Sequence, residues 1–195
     1  KRERTTNANN KMHVPIGIFG GTFDPPHISH TLAVLYALET GGLERIVVIP
    51  CFKHPLGKSA STFEHRLAMT RLAMEPIGER AIVSDIEARR DGASYTIDTV
   101  RSMIKEMPNA EISLIIGSDI LKETRLWKDF AELEKMARII VIPRPGGENP
   151  PAARFFLPDI SSTEIRRRLK SGEDVLPFLS RRVLEYIRRH KLYQE

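Results

Sequence analysis

Short apolar runs alternate along this chain with longer stretches in which apolar residues recur every three or four positions. A short run that is apolar throughout is typical of a strand buried on both faces of a parallel sheet, whereas the longer recurrence predicts a helix that buries one face. The predicted strands cover residues 14–19, 45–50, 81–84, 111–116 and 138–143. The predicted helices cover residues 28–40, 62–74, 94–107 and 129–136, with a further helix starting at residue 161.

This alternation of strands and helices predicts βαβ units and therefore an α/β protein. We expect a Rossmann-like doubly wound parallel sheet followed by C-terminal helices. Ligands in such sheets bind beyond the carboxyl ends of the strands. Residues 20–21, the loop from Cys51, residues 117–119 and Arg144 all follow strand ends, so we expect them to meet at one site. Residues 85–93 are predicted to be a loop.

The junction between the first strand and the first helix reads GIFGGTFDPPHISH from Gly17 to His30. Adjacent glycines let a ligand approach the backbone closely, and the N-terminus of a helix attracts anions. If the helix begins near Ile28, His27 and His30 project from neighbouring faces of its first turn. The junction therefore predicts a phosphate-binding site.

Two other interpretations of the histidine pair compete with a phosphate site. A single histidine at such a junction often caps the helix or packs as a ring, and the glycines match neither the GxGxxG pattern nor the P-loop pattern. A metal site ranks last, because no cysteine or carboxylate with ligand spacing stands beside the pair. The presence of two histidines favours function over structure, and we assign no metal ligand.

A second candidate anion site is the segment ISSTEIRRRL from Ile160 to Leu169. Ser161 and Glu164 form a capping box, which predicts the start of a helix. Arg166 lies in the first turn of that helix and off its apolar stripe. An arginine there opposes the helix dipole unless an anion joins it, so we expect Arg166 to contact a second phosphate.

Composition and charge narrow the class of protein. The chain has 195 residues, of which 41% are hydrophobic and 28% charged, as in ordinary soluble globular proteins. The net charge is +5, but residues 1–13 carry four basic residues and one acidic residue. We therefore predict a flexible polar tail at 1–13, a single domain at 14–195 and no nucleic-acid groove.

The apolar runs and the cysteine content indicate where the protein is found. The sequence has no apolar run near the ~20 residues of a membrane-spanning helix. The single cysteine, Cys51, fits a reducing compartment, and we expect a cytoplasmic protein.

Together, the two end segments resemble the nucleotidyltransferase superfamily that carries a (T/H)xGH motif near the N-terminus and an ISSTxIR motif near the C-terminus. Within it, the chain looks like the bacterial nicotinate-mononucleotide adenylyltransferases, from Ile16 onward. The segments that narrow the resemblance to this family are Ser94-Tyr95-Thr96, Ile116 to Asp119, Trp127 and Arg144 to Gly146.

The resemblance implies a nucleotidyltransferase-type fold and a reaction. AMP would pass from ATP to nicotinate mononucleotide, giving deamido-NAD and pyrophosphate in NAD biosynthesis, by direct in-line attack without a covalent enzyme intermediate. ATP and nicotinate mononucleotide are the implied partners, with no nucleic acid and no membrane. Mg²⁺, held mainly by ATP oxygens and water, is the implied cofactor. The oligomeric state stays open.

The resemblance also implies roles for particular residues. His27, His30 and Arg166 would be the catalytic residues, acting on the phosphates of ATP. Further ATP contacts would come from Gly20, Gly21, Thr22, Gly117, Asp119, Ser162 and Thr163.

The second substrate would contact another set of residues. Trp127 would stack on the pyridine ring, and the amides near Thr96 would receive the nicotinate carboxylate. Arg144 would lie near the phosphates of the substrates. Lys53 and Lys58 are both candidates for the lysine that the family carries in the loop after the second strand.

This sequence departs from the family pattern at two places. Ser29 stands where the motif usually has glycine, which could restrict the approach to His30 while leaving both imidazoles in place. The loop from Cys51 to Lys58 lacks the usual PPHK-like element, so its lysine is not assigned uniquely.

Two alternatives to this function remain at the level of sequence. Another adenylyl- or cytidylyltransferase of the superfamily, acting for example on nicotinamide mononucleotide or on a phosphopantetheine, would share both end motifs. A sensor that binds nucleotide without turning it over would also keep the fold. Selectivity between the acid and the amide of the mononucleotide is likewise left open.

Overall fold

The structure, a computed structural model, describes residues 13–55, 61–150 and 156–194. The strands are β1 (Val14–Gly21), β2 (Arg45–Pro50), β3 (Ala81–Val83), β4 (Ala110–Gly117) and β5 (Arg138–Ile142). The α-helices are α1 (Ile28–Thr40), α2 (Phe63–Met74), α3 (Thr96–Glu106), α4 (Phe130–Met136), α5 (Ser162–Lys170) and α6 (Arg181–Arg189). Short 3₁₀ helices cover Glu75–Arg80, Ile86–Arg89 and Leu121–Leu126.

The strands form one parallel five-stranded sheet with the order β3-β2-β1-β4-β5. One face of the sheet packs against α1, α2, α5 and α6, and the opposite face packs against α3 and α4. This arrangement confirms the predicted Rossmann-like doubly wound sheet. Because β1 lies in the centre, the loop that follows it opens at the middle of the carboxyl edge, where ligands bind in such sheets.

The surroundings of β1 explain why its residues are apolar on both faces. Ile16 and Ile18 point into the layer of α3 and α4 and are buried. Gly17 points to the other face, where a Cβ would lie 2.7 Å from Leu43 Cδ1 and 2.8 Å from Ile115 Cδ1. The close packing of these side chains therefore requires glycine at this position.

Most predicted boundaries shift by one or two residues in the structure, and two differences lie close to the strand ends. β1 continues two residues beyond its predicted end and includes both Gly20 and Gly21. Residues 86–89, predicted as loop, form a 3₁₀ helix because Ile86 is buried in the layer of α3 and its N–H donates to Ser84 Oγ at 3.2 Å.

Several predictions fall outside this description. The predicted tail lies almost entirely in residues 1–12, and Lys58 in residues 56–60, which are outside the described residues. The division into a tail and one domain stays a prediction, as does a cytoplasmic location. Within the described part of the chain, no helix has the length and apolar character needed to cross a membrane.

Candidate active site

The carboxyl end of β1 leads directly into the N-terminus of α1. α1 begins at Ile28, as predicted, with His27 as its N-cap residue. A Cβ built on Gly20 would meet no atom within 4 Å, whereas one built on Gly21 would lie 2.9 Å from Phe23 Cζ. The glycine pair thus leaves the backbone of Gly20 open to a ligand while Gly21 packs against the core.

The two histidines lie against each other at the start of α1. Their rings are stacked with centroids 3.7 Å apart. The backbone N–H of His27 donates to His30 Nδ1 at 3.1 Å. Because Nδ1 of His30 accepts a hydrogen bond, the neutral ring carries its proton on Nε2. His30 is therefore oriented as a donor through Nε2.

Both histidines stay neutral at pH 7. Burial, together with a smaller contribution from the positive charge of Arg144, lowers the pKa of His27 to about 4. The pKa of His30 lies well below its usual value of 6.5, first through desolvation and then through His27 and Arg144. His27 Nδ1 is buried and has no hydrogen-bond partner among the described residues. An unpaired buried nitrogen at a helix N-terminus is suited to meet a ligand.

Phe23 packs against His30 of the histidine pair, and this role was not predicted from the sequence. Its ring is buried and meets the His30 ring edge to face at 4.9 Å. Its backbone has φ 51°, a left-handed conformation that is strained for a bulky side chain. Such strain often marks functional loops, although the sequence alone carries no signal for it.

The N-terminus of α5 joins the same loop from the other side. Arg166 Nη1 donates to the Asp24 carbonyl at 2.6 Å and lies 3.7 Å from the Asp24 carboxylate. Arg166 Nη2 donates to Thr163 Oγ1 at 3.3 Å. Ser162 Oγ donates to the Pro25 carbonyl at 2.9 Å. The two segments that the sequence analysis singled out are therefore bonded to each other.

The predicted capping box of α5 forms only in part. Ser161 Oγ accepts from the Glu164 N–H at 3.1 Å, as expected. The Glu164 carboxylate instead accepts from Arg167 and Arg168, both at 2.8 Å. These arginines lower the pKa of Glu164 to about 2. The helix start is thus fixed by Ser161, and the glutamate neutralises neighbouring basic residues.

The ends of β4 and β5 contribute a third side of the site. Arg144 Nε lies 3.6 Å from Asp119 Oδ2, and Arg144 Nη2 donates to the Ile160 carbonyl at 3.4 Å. Gly117 leaves room for Asp119, because a Cβ on Gly117 would lie only 2.2 Å from Asp119 Oδ1. We use the name histidine region for Gly117, Asp119 and Arg144 together with Gly20–Thr22, His27, His30 and the first turn of α5.

Ser29, the departure from the usual motif, points away from the histidines. Its side chain is buried, and Oγ donates to the Pro158 carbonyl at 3.0 Å. The hydroxyl therefore joins the first turn of α1 to the segment that precedes α5. The restriction near His30 that this serine could cause stays a prediction.

Arg66 of α2 is a further residue that the sequence analysis missed. Its buried guanidinium donates to the carbonyls of Thr22 at 2.9 Å, Cys51 at 2.7 Å and Ser61 at 3.0 Å. It thus ties together the loops after β1 and β2 and the start of α2. An arginine within a helix gives no local sign of such a role.

Three of the residues expected for the second substrate lie around the start of α3, and we call Lys53, Thr96 and Trp127 the tryptophan region. The fourth, Arg144, lies instead in the histidine region. The Lys53 N–H donates to Ser94 Oγ at 3.2 Å, and the Ser94 N–H donates to the Lys53 carbonyl at 2.9 Å. Thr96 is the first residue of α3. Trp127 is half-buried and meets Phe130 edge to face at 6.1 Å.

The loop that carries Trp127 also contacts α3. Lys128 Nζ lies 3.2 Å from Asp98 Oδ2 and 4.8 Å from the centre of the Tyr95 ring. These contacts hold the tryptophan loop beside the first turn of the helix that Thr96 opens. Within the described ranges, no group of three or more His, Cys, Asp or Glu side chains could hold a metal ion.

With this fold and site in view, comparison with known proteins gives the class. The cytidylyltransferase-like family model matches residues 18–168, and the chain belongs to that family. A relative from Anaeromyxobacter dehalogenans is 39% identical, over 92% of this chain and 96% of its own length. A relative from Thermus thermophilus is also 39% identical, over 92% and 99%. Both are named probable nicotinate-nucleotide adenylyltransferase, and within the family this chain belongs to the nicotinate-nucleotide adenylyltransferases.

Solved structures agree on the fold. The Plasmodium falciparum nicotinic acid mononucleotide adenylyltransferase complexed with NaAD superposes with a TM-score of 0.82 at 23% identity, over 93% of this chain and 98% of that one. The same enzyme complexed with APC gives a TM-score of 0.79 at 22% identity, over 93% and 98%. At this identity the likeness establishes the arrangement of sheet and helices.

Proposed function

We propose that this protein transfers AMP from ATP to nicotinate mononucleotide, giving deamido-NAD and pyrophosphate in NAD biosynthesis. The observation that carries the proposal is the meeting of two anion-binding helix starts, α1 with His27 and His30 and α5 with Arg166. Relatives named for this activity match 92% of the chain, which supports the choice of reaction.

In the proposed reaction, an oxygen of the mononucleotide 5′-phosphate attacks the α-phosphorus of ATP. The bond between that phosphorus and the bridging oxygen breaks, and pyrophosphate leaves. The attacking phosphate is largely ionised at neutral pH because its second pKa is about 6, so the reaction needs no protein nucleophile and no covalent intermediate. The protein aligns two anions and stabilises the charge that develops on the leaving group.

His27, His30 and Arg166 are the proposed catalytic residues. The two imidazoles act as neutral hydrogen-bond donors, since their lowered pKa values keep them uncharged. His30 donates through Nε2, because its Nδ1 is occupied. Arg166 brings the positive charge, and its guanidinium fork suits a phosphate.

The remaining proposed ATP contacts come from strand ends and helix starts. The open backbone at Gly20 admits the nucleotide, and the carboxylate of Asp119 can accept from hydroxyls of the adenosine. The full proposed set is Gly20, Gly21, Thr22, Gly117, Asp119, Ser162 and Thr163.

The tryptophan region is the proposed site for the mononucleotide. The free N–H groups at the start of α3, near Thr96, would attract the nicotinate carboxylate. Trp127 would stack on the pyridine ring, and Arg144 would lie near the phosphates. Lys53 is held beside α3 by its two hydrogen bonds to Ser94, which makes it a candidate phosphate contact alongside Lys58.

Mg²⁺ is proposed to enter with ATP. Both carboxylates near the histidines already have protein partners, because Asp24 accepts hydrogen bonds from Ser61 and Tyr193 and Asp119 pairs with Arg144. A hard cation of this kind is commonly held by substrate phosphates and water. The proposal therefore assigns the protein residues to the triphosphate and the ion to ATP oxygens and water.

Pyrophosphate release by the purified protein, with Mg-ATP and either nicotinate or nicotinamide mononucleotide, tests the proposal. We expect turnover that favours the acid. Preference for the amide would contradict the assignment of the carboxylate to the start of α3. Turnover with neither, from folded protein that binds ATP, would overturn the proposal and favour a sister transferase, such as one acting on a phosphopantetheine, or a nucleotide sensor.

A further inference from the structure

Asp24 is a buried carboxylate in the loop between β1 and α1. Its oxygens accept from the Ser61 N–H at 3.2 Å, from Ser61 Oγ and from the hydroxyl of Tyr193 at 2.6 Å. Burying a carboxylate is costly unless such donors surround it. These contacts therefore fix both the position and the orientation of Asp24.

Asp24 in turn sets the position of Arg166. Arg166 Nη1 donates to its carbonyl at 2.6 Å and lies 3.7 Å from its carboxylate. A guanidinium held in one place loses less conformational entropy when a phosphate binds. Whatever fixes Asp24 thus also prepares Arg166 for the triphosphate.

Tyr193 is the distant member of this cluster. It lies 169 residues after Asp24, beyond α6, and its backbone has φ 62°. Its ring packs against the core that contains α1, α5 and α6. Its oxygen also lies 2.8 Å from Ser61 Oγ. Burial and the neighbouring Asp24 raise the pKa of the phenol, so the hydroxyl stays protonated and donates.

We propose that Tyr193 is a positioning residue of the active site, which acts through Asp24 to hold Arg166 in the orientation that receives the triphosphate of ATP. The inference rests on the proposed function and deepens it. The hydroxyl of Tyr193 contacts Asp24 directly and also Ser61, which itself donates to Asp24, so the expected effect on Arg166 passes through Asp24.

The variant Tyr193→Phe removes this hydrogen bond and keeps the ring. We expect kcat/KM for ATP and the affinity for a non-hydrolysable ATP analogue to fall roughly tenfold, the size typical of a lost hydrogen bond to a charged group. The KM for the mononucleotide should stay within about twofold. The control is Tyr186→Phe, on α6, whose hydroxyl lies 3.0 Å from His65 Nδ1.

Both variants lose one tyrosine hydroxyl, so melting temperatures show whether the loss is merely structural. We expect a decrease for both, larger for Tyr193→Phe because it removes a donor to a buried carboxylate, and a loss of ATP affinity in Tyr193→Phe alone. Equal ATP affinity and kcat/KM in wild type and Tyr193→Phe would overturn the proposal. So would an equal loss in Tyr186→Phe.

A double-mutant cycle with Arg166→Lys tests the route through Arg166. If Tyr193 acts through that guanidinium, Tyr193→Phe should cost less than about twofold further in the Arg166→Lys background. An undiminished tenfold loss would contradict the route. ATP-analogue binding is measured without the mononucleotide. A wild type that binds ATP but does not adenylylate nicotinate mononucleotide would therefore disprove the proposed function, while the comparison with Tyr193→Phe would still test this inference. A wild type that binds no ATP would overturn both.

Discussion

The histidine region and the tryptophan region differ in how their side chains are held. In the histidine region, His30 is fixed by the His27 amide and the Phe23 ring, and Arg166 is fixed by Asp24. In the tryptophan region, contacts of Lys128 and of the Lys53 backbone hold the loops, but the Lys53 side chain is exposed and Trp127 follows Leu126, which is 85% exposed. Groups with many fixed partners are preorganised, and groups with few can adjust to a ligand. We therefore expect the reaction rate to depend mainly on the histidine region and substrate selectivity mainly on the tryptophan region.

The strongest test of this contrast is His30→Ala. We expect kcat to fall by about 10²–10³-fold, as for the loss of one donor to the transition state, with the fold retained by circular dichroism. The control is His65→Ala, which removes a histidine of α2 that contacts Tyr186. Near-normal turnover in His30→Ala would contradict a role of the histidine region in the chemical step.

The pH dependence of stability should also arise in the histidine region. The pKa of His27 is about 4 in the folded protein against 6.5 for an unperturbed histidine, so the unfolded chain binds more protons between these values. The free energy of unfolding should therefore fall as the pH decreases from 6.5 towards 4, by about 3 kcal/mol from this residue. The lowered pKa of His30 acts in the same direction.

Urea unfolding of wild type and His27→Asn at several pH values measures this contribution. Asparagine keeps an N-cap and does not titrate. The difference between the two proteins should shrink or reverse as the pH falls through the window. Parallel curves would show that His27 is not held neutral.

Arg66→Met should act on stability, because it leaves three backbone carbonyls without their donor. We expect a decrease of about 2 kcal/mol in the free energy of unfolding, with a smaller decrease in kcat as the loop after β1 loosens. Arg71→Met is the matched control, since Arg71 is exposed on the same helix. Equal stability of the two variants would contradict the linking role of Arg66.

Trp127→Ala should have the smallest effect, and it should act on the KM for the mononucleotide rather than on kcat or stability. We expect the KM for the mononucleotide to rise about tenfold from lost stacking, while the KM for ATP and the stability change little. Trp127→Phe should restore much of the loss. An unchanged KM for the mononucleotide would remove Trp127 from the proposed pocket and weaken the contrast between the regions.

The parts of the molecule that follow from local pattern were predictable from sequence. The apolar runs located the strands, and the residues from Pro25 to Ile28 located the start of α1. Ser161 predicted the start of α5, because its hydroxyl caps the helix by accepting from the N–H of Glu164, three residues later. Since parallel strands share a carboxyl edge, the grouping of the candidate site followed from the topology.

The parts that depend on contacts across the chain were not predictable in this way. Arg66 and Tyr193 act on loops that only the folded chain brings near them. The conformation of Phe23 is set by the packing of its ring, for which a sequence has no periodic signal. The roles of the individual site residues remain predictions.

The hydrogen bond from Tyr193 to Asp24 also has a consequence for synthesis of the protein. During translation, the loop after β1 leaves the ribosome long before residue 193 is added. A nascent chain with all five strands emerged still lacks the phenolic donor of Asp24. The hydrogen bond between Tyr193 and Asp24 can therefore form only after residue 193 has left the exit tunnel, so this contact is completed later than the sheet.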